Sequence, residues 1–521
     1  MKFPPLLLLA AAALPAQTYD LVVYGATAGG VITSVTAARM GLKVVLIEPG
    51  KHVGGMVSGG LSHTDVGKRE VIGGYALEFY WRAGLHYGLP QYLQHIAWYV
   101  EPKVAEQIFR KMLDEERVPV FFERRLRSVR KQGNRISSIA LENGEEFTAK
   151  IFTDCSYEGD LMAQSGVSFT WGREGTAQYG ESLAGVRGEP PKHQFLVDLK
   201  PQGERGISKE PVGETGAADR KVQAYNFRMI FSNDPANQVP FPKPSNYDAR
   251  DYDLMARFLA TSPQLKLGNV LSIDPIPNRK FDINNNGPFS TDYIGANYDY
   301  PNASYGRRAE IWRAHEDYTK GLLWFLTHDR RVPAALQAEA NRWGFAKDEF
   351  VDNGNFPHQI YIREARRLVG DFVMAQKDIQ TDLTKPDVIG MGSYNSDSHN
   401  VQRVVNSDGF VRNEGDIQVP VQPYQIPYRV LLPKKSEASN LLVPVCFAAT
   451  HVAYSTLRME PQYVILGHAA GVAAKLALQN SVDVQDVDTR ELTRILLSQG
   501  AIMEHVPSRQ QAVLSLFRIK Q

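Results

Sequence analysis

Five residues near the N-terminus, Gly25, Ala28, Gly29, Gly30 and Glu48, have the types and spacing to hold a dinucleotide. Gly25 follows the apolar run Leu21 to Tyr24 and permits a tight turn out of a strand. Ala28, Gly29 and Gly30 open a small-residue helix whose free N–H groups and positive dipole end can face a pyrophosphate. Glu48 closes a second apolar strand, Val44 to Ile47, where a carboxylate accepts both hydroxyls of a ribose. The elements that must position these groups are strand, glycine turn, helix, strand and acid, in that order: a βαβ unit. Thr27 departs from the usual pattern, which carries its middle glycine there.

The stretch after Glu48, PGKHVGGMVSGGLSHTD, is dense in glycine and interleaved with Val53, Met56, Val57 and Leu61. A nicotinamide-binding fold would normally enter another helix here, whereas glycines let backbone lie against a large flat ligand. From this point the chain resembles the FAD-dependent oxidoreductases with the glutathione-reductase-like cofactor fold, on the branch of the fumarate reductase and succinate dehydrogenase flavoproteins. The resemblance implies an α/β fold: a Rossmann-like FAD-binding domain with a large inserted α+β substrate or cap domain. It implies FAD as the cofactor, with Gly55 and Met56 in the loop along it. In succinate dehydrogenase a histidine of this loop bonds the flavin. An ungapped register puts Met56 at that place, so a non-covalent FAD is expected, with His63 as the alternative attachment point.

Two distant segments extend the resemblance. Lys150 to Val167, KIFTDCSYEGDLMAQSGV, is similar to the strand and acidic-glycine turn that returns to the cofactor, and a strand meander leads into it. Asn440 to Leu478 is similar to the closing element: a buried strand, a substrate-facing loop, and a helix entered at Gly467 to Gly471. Through its small residues, Gly471 included, that helix would approach the isoalloxazine. The expected organisation is a FAD-binding domain over 18–170 and 425–485, a substrate or cap domain over 171–424, and a C-terminal helical tail over 486–521. Within the insertion, FPHQIYIREARRLVGDFVM reads as an amphipathic helix with Ile360, Ala365, Leu368 and Val369 toward a core and arginines on the other side. Phrases such as YIREARR and LRMEPQ are similar to a bacterial, often exported group of FAD-dependent oxidoreductases, some labelled xanthan lyase.

Hydride chemistry at a flavin needs a partner group that takes or gives a proton. By resemblance, His451 sits where fumarate-reductase-like proteins place a substrate-binding histidine. Arg458 could bind an acidic substrate or pair with Glu460. His358 joins the candidates if Pro357 keeps it in a loop, and His399, Arg363, Arg366 and Arg367 complete them. No metal site is expected. Asp282 to Gly287, DINNNG, resembles a calcium loop but has Tyr293 where the bidentate glutamate belongs, and reads as a polar loop. The alternation of Asn, Asp and Tyr after it suits sugar rings.

Residues 1–16, MKFPPLLLLAAAALPA, have the basic start, apolar run and small terminal residue of a secretory signal peptide, predicting a periplasmic or secreted protein. No later stretch reaches the ~18 apolar residues of a membrane helix, so no stable membrane insertion is expected. A formal net charge of +1 without a long basic run argues against nucleic acid as the main partner. The partners expected are a small-molecule substrate and an unidentified electron acceptor. Cys155 and Cys446, the two cysteines, read as buried thiols, a single disulfide being the alternative. The function expected is an exported FAD-dependent oxidoreductase moving hydride between flavin N5 and a polar organic molecule, a sugar or hydroxy acid. The alternatives are a flavin-assisted lyase acting on carbohydrate and a flavin-binding protein without turnover.

Overall fold

The structure is a computed structural model that describes residues 17–90, 95–190, 192–195 and 197–506. The expected signal peptide, and the end of the expected tail from residue 507, lie outside the described residues.

The N-terminal segment runs through β1 (Gln17–Tyr24), α1 (Ala28–Arg39), β2 (Val44–Ile47), α2 (Gly74–His86), α3 (Pro102–Glu115) and β3 (Val120–Phe121), then the meander β4 (Leu126–Gln132), β5 (Arg135–Leu141) and β6 (Glu146–Asp154). These strands form one sheet in the order β3-β2-β1-β6-β5-β4. β1 is parallel to β2 and to β6, with Leu21 opposite Val44 and Ile151. Leu21, Val22, Val23 and Tyr24 are wholly buried, as a continuous apolar run must be when both faces of a parallel strand are covered. α3 packs against α1 and α2 by helical spacing, burying Val104, Ala105, Ile108, Phe109, Met112 and Leu113.

The C-terminal segment completes this layer. Leu441–Leu442 adds in parallel to β6. The helix Glu460–Asn480 lies against α1, where Thr33 Oγ1 donates to Gly467 O at 3.1 Å. A β-carbon on Gly467 would stand 2.2 Å from Gly29 O, and one on Gly471 2.6 Å from Thr36 Cβ. This corrects the reading of Gly471 as a cofactor contact. The helix starts at Glu460, so Gly467 and Gly471 lie mid-helix and serve helix–helix approach. Cys155 and Cys446 are free and buried.

The intervening region is built on a five-stranded antiparallel sheet, in the order Leu271–Ile276, Lys280–Asn285, Met229–Ser232, Gly344–Ala346, Gln238–Val239. The long helix Tyr305–His328, capped by Ser304, accompanies it. Two expectations are overturned here. Asp282 to Asn285 is strand and not a polar loop, because Asp282 is wholly buried and held by Arg228 and by the amides of Ser62 and His63. Phe356 to Arg366 contains no helix: Tyr361 bridges to Asn226, and Arg367–Leu368 is a short strand. The arginines given to solvent by helical periodicity are buried on carboxylates, Arg363 on Asp292, Arg366 on Asp160, and Arg367 on Glu174 and Glu364. Tertiary ion pairs override the local pattern.

Candidate active site

At the C-terminal ends of β1 and β2 lies a cavity of about 400 Å³ lined by Gly25, Thr27, Glu48, Gly55, Tyr157 and His358, among others. Gly25 has φ +96°, and a β-carbon there would meet Ser156 N at 2.6 Å. Thr27 caps α1 by accepting the Gly30 N–H at 3.2 Å, and its hydroxyl donates to Cys155 O at 2.8 Å. Glu48 accepts the amides of Ala26 and Gly50, each at 2.6 Å, and burial pushes its carboxyl up to about 7. Lys51, Arg125 and Arg313 bring positive charge to the same walls, while Arg308 is held by Asp160 at 2.7 and 3.0 Å.

Beyond the cavity is a buried polar cluster. Arg458 donates to Tyr361 Oη (2.9 Å) and to Asp397 O (2.6 Å). Arg363 faces Asp292 at 3.0 Å, and its Nε has no hydrogen-bond partner among the described residues. His399 Nδ1 lies 2.7 Å from Asp292 Oδ2. Burial opposes the Asp292 charge, but Arg363 and His399 hold its carboxyl down to about 2. Burial, reinforced by Arg363, pushes the His399 imidazole down to about 4. Near neutral pH the pair is therefore an ionised Asp292 accepting Nδ1–H from a neutral His399, which leaves Nε2 as a proton acceptor. Arg228, chelated by Asp282 at 2.8 and 2.9 Å, completes the cluster, and Asp65, Asp397 and His399 are half-buried at its rim.

Two strips of chain join the cavity to the cluster. The first is the glycine loop: Gly55 lines the cavity, Gly59 packs on Gln359, Gly60 packs on the Arg228 backbone, and the amides of Ser62 and His63 bind Asp282. The second runs from His358 and Gln359, which line the cavity, to Tyr361 and Arg363.

Against known sequences, the profile of the family described as FAD dependent oxidoreductase matches residues 20–496. The chain belongs to that family. None of the curated proteins matches it. Solved structures similar to parts of this FAD-dependent oxidoreductase include an oxidized steroid monooxygenase bound to NADP (20% identity, 27% of this chain and 26% of that one, TM-score 0.20). Thioredoxin reductase of T. acidophilum is another (16%, 26% and 35%, TM-score 0.18). A third is a flavin-containing monooxygenase from Stenotrophomonas maltophilia (15%, 31% and 44%, TM-score 0.20). The chain thus spans less than half the length of each.

The cavity residues fit FAD. The α1 N-terminus and the cationic walls suit a pyrophosphate, and Glu48 offers carboxylate oxygens to ribose hydroxyls at the end of β2. Met56 is wholly buried in the glycine loop and its N–H donates to Tyr157 Oη at 2.8 Å. His63 is stacked on Tyr99 with ring centroids 4.0 Å apart. A non-covalent FAD, as the ungapped register at Met56 leads one to expect, predicts that trichloroacetic acid releases all the flavin into the supernatant. Flavin fluorescence retained on the denatured band in a gel would show a covalent bond, with His63 as the first residue to change.

The residues expected to act together are only partly brought together. His451 Nδ1 lies 2.7 Å from Glu364 Oε2, and Nε2 lies 3.3 Å from Ser398 Oγ. Both ring nitrogens are thus occupied by protein, and burial together with Arg367 and Arg173 pushes the imidazole down to about 3. This corrects the reading of His451 as a substrate-facing base: it holds the strand Ser396–Ser398, on which Arg458 also rests through Asp397. Arg458 does not pair with Glu460, which accepts instead from Tyr157 at 2.6 Å. His358 stacks on His52 at 3.6 Å in the cofactor cavity, away from both partners. Asp292 and Arg228 were missed by sequence reasoning because they come from distant segments with no shared motif, and Tyr361, which opens YIREARR, because its contact with Arg458 forms only in space.

Proposed function

We propose that this protein is an exported oxidoreductase that transfers hydride between flavin N5 and a polar organic substrate, a sugar or hydroxy acid, bound among Arg363, Arg458, Tyr361 and His399. The observation that carries this reading is the pair of strips leading from the FAD cavity to one buried cluster that holds both fixed cations and a poised base. When bound, FAD supplies the hydride acceptor or donor. Arg363 and Arg458 orient a carboxylate or hydroxyl oxygen, the guanidinium fork suiting two oxygens at once. His399 Nε2 takes a proton from the substrate hydroxyl or returns one, while Asp292 fixes its tautomer. Export is supported by the leader-like residues 1–16, and is tested by whether the mature protein starts after Ala16. The fumarate-reductase branch belongs to the same proposal, and the alternatives to it are a flavin-assisted lyase acting on carbohydrate and a flavin-binding protein without turnover.

Anaerobic addition of sugars and hydroxy acids to the yellow protein tests the reaction, since a true substrate bleaches the flavin. A product lighter by two hydrogens supports oxidation, cleavage fragments support the lyase, and no bleaching by any compound leaves a flavin-binding protein. The base also sets a pH dependence. His399 works deprotonated, so kcat/KM is expected to hold from neutral pH down to about 5 and to fall as the imidazole is protonated near 4. An acid limb centred near 6.5, the ordinary histidine value, would remove His399 from this role.

A further inference from the structure

A second cavity, of about 880 Å³, lies wholly within the inserted region, and Trp171, Lys209, Arg220, Tyr298, Asn302 and Arg403 are among its walls. Arg403 stands on the strand Gln402–Val405 and is only 4% exposed. Its Nε donates to the neutral Asn413 side chain (3.0 Å) and its Nη2 to Pro288 O (2.9 Å). Its guanidinium carbon lies 4.8 Å from the centre of the Phe289 ring. The other buried arginines, Arg173, Arg228, Arg308, Arg363, Arg366, Arg367 and Arg458, each have a carboxylate within ion-pairing distance. Among the described residues Arg403 has none. Its Nη1 is turned toward Gly206 on the cavity wall, where a β-carbon would stand 3.6 Å away. A buried cation without a counter-charge is costly, and an anion in the cavity would remove that cost. Burial lowers the guanidinium to about 10, which leaves it charged at neutral pH.

The rest of the cavity matches an anion carried on a ring. Arg220 lies over Trp171 at 4.4 Å and, among the described residues, donates only to Thr170 Oγ1 and Trp171 O. Lys209 is exposed and unpaired among the described residues. The acids nearby are already engaged, Asp219 by Arg173, Glu210 by Lys221 and Asp299 by Arg307. Tyr298 and Asn302 come from the stretch whose Asn, Asp and Tyr alternation suits sugar rings, and Trp171 adds an aromatic wall.

We infer that this cavity binds an acidic saccharide, with a carboxylate on Arg403 Nη1 and a ring face against Trp171 or Tyr298. The test is calorimetric titration of the FAD-loaded full chain with a galacturonate trisaccharide, with maltotriose as the neutral comparator and inorganic phosphate as a bare anion. Saturable binding of the galacturonate trisaccharide alone is expected. It should weaken about 10- to 100-fold in Arg403→Met, the usual worth of a charge-assisted hydrogen bond. It should persist in His399→Gln, which separates this cavity from the arginine cluster. Arg403→Met removes an uncompensated charge and is expected to fold. Should it fail to, the half-buried Trp171→Ala and exposed Arg220→Ala must each weaken binding severalfold. Equal binding of both saccharides, binding of phosphate alone, no binding, full affinity in the Arg403, Trp171 and Arg220 variants, or loss of binding in His399→Gln overturns the inference.

Discussion

Gly30→Val is expected to yield colourless protein, where the wild-type chain carries about one FAD. Even a single β-carbon at this position would lie 1.9 Å from Gly25 O and 3.0 Å from Cys155 Cβ. The turn between β1 and α1 would have to open, carrying the helix N-terminus and the Thr27 cap away from the cavity. Gly268→Ala serves as the control, since a β-carbon there meets nothing within 4 Å. The measurement is the ratio of flavin to protein absorbance, alongside far-ultraviolet circular dichroism. At the other end of the cavity, Glu48→Gln keeps an oxygen for one amide but, at a pH above the Glu48 carboxyl value of about 7, gives up the charge that ribose hydroxyls would meet. FAD should bind it about 10-fold more weakly, as loss of one charge-assisted hydrogen bond implies. A Gly30→Val protein that folds and stays yellow would place the cofactor elsewhere.

The second large effect concerns the two histidines. His399→Gln should keep the flavin spectrum and the fold, because Asp292 retains Arg363 at 3.0 Å. Turnover should fall roughly 10²- to 10⁴-fold, the usual contribution of a general acid–base group. His451→Ala should behave differently. It removes one of the two partners of Glu364 Oε2, leaving Gln223 Nε2 at 2.9 Å, and the loss of that hydrogen bond to a charged group in a fully buried network costs about 1–3 kcal/mol of stability. A thermal melt with kcat measured below the transition separates the two cases. If His451→Ala melts like wild type and loses turnover while His399→Gln turns over normally, the assignments must be exchanged.

Much of the cofactor-binding half was legible in the sequence because its determinants are local. A tight turn needs Gly25, a close helix start needs Gly30, and a parallel strand covered on both faces needs an unbroken run such as Leu21 to Tyr24. Each requirement acts within a few residues, so residue type and spacing are enough to read it. The family resemblance added the flavin through the glycine loop in the same local way. The substrate side was decided only by tertiary structure. Arg363, Arg366 and Arg367 have the periodicity of a solvated helix face, yet carboxylates from remote segments draw them into the interior and the helix does not form. Gly471 fits a cofactor approach by sequence and a helix–helix contact in space, because close approach of any partner demands the same small residue. His451 and His399 are alike in one dimension. What separates them is whether both ring nitrogens are consumed by the protein, and only long-range packing determines that.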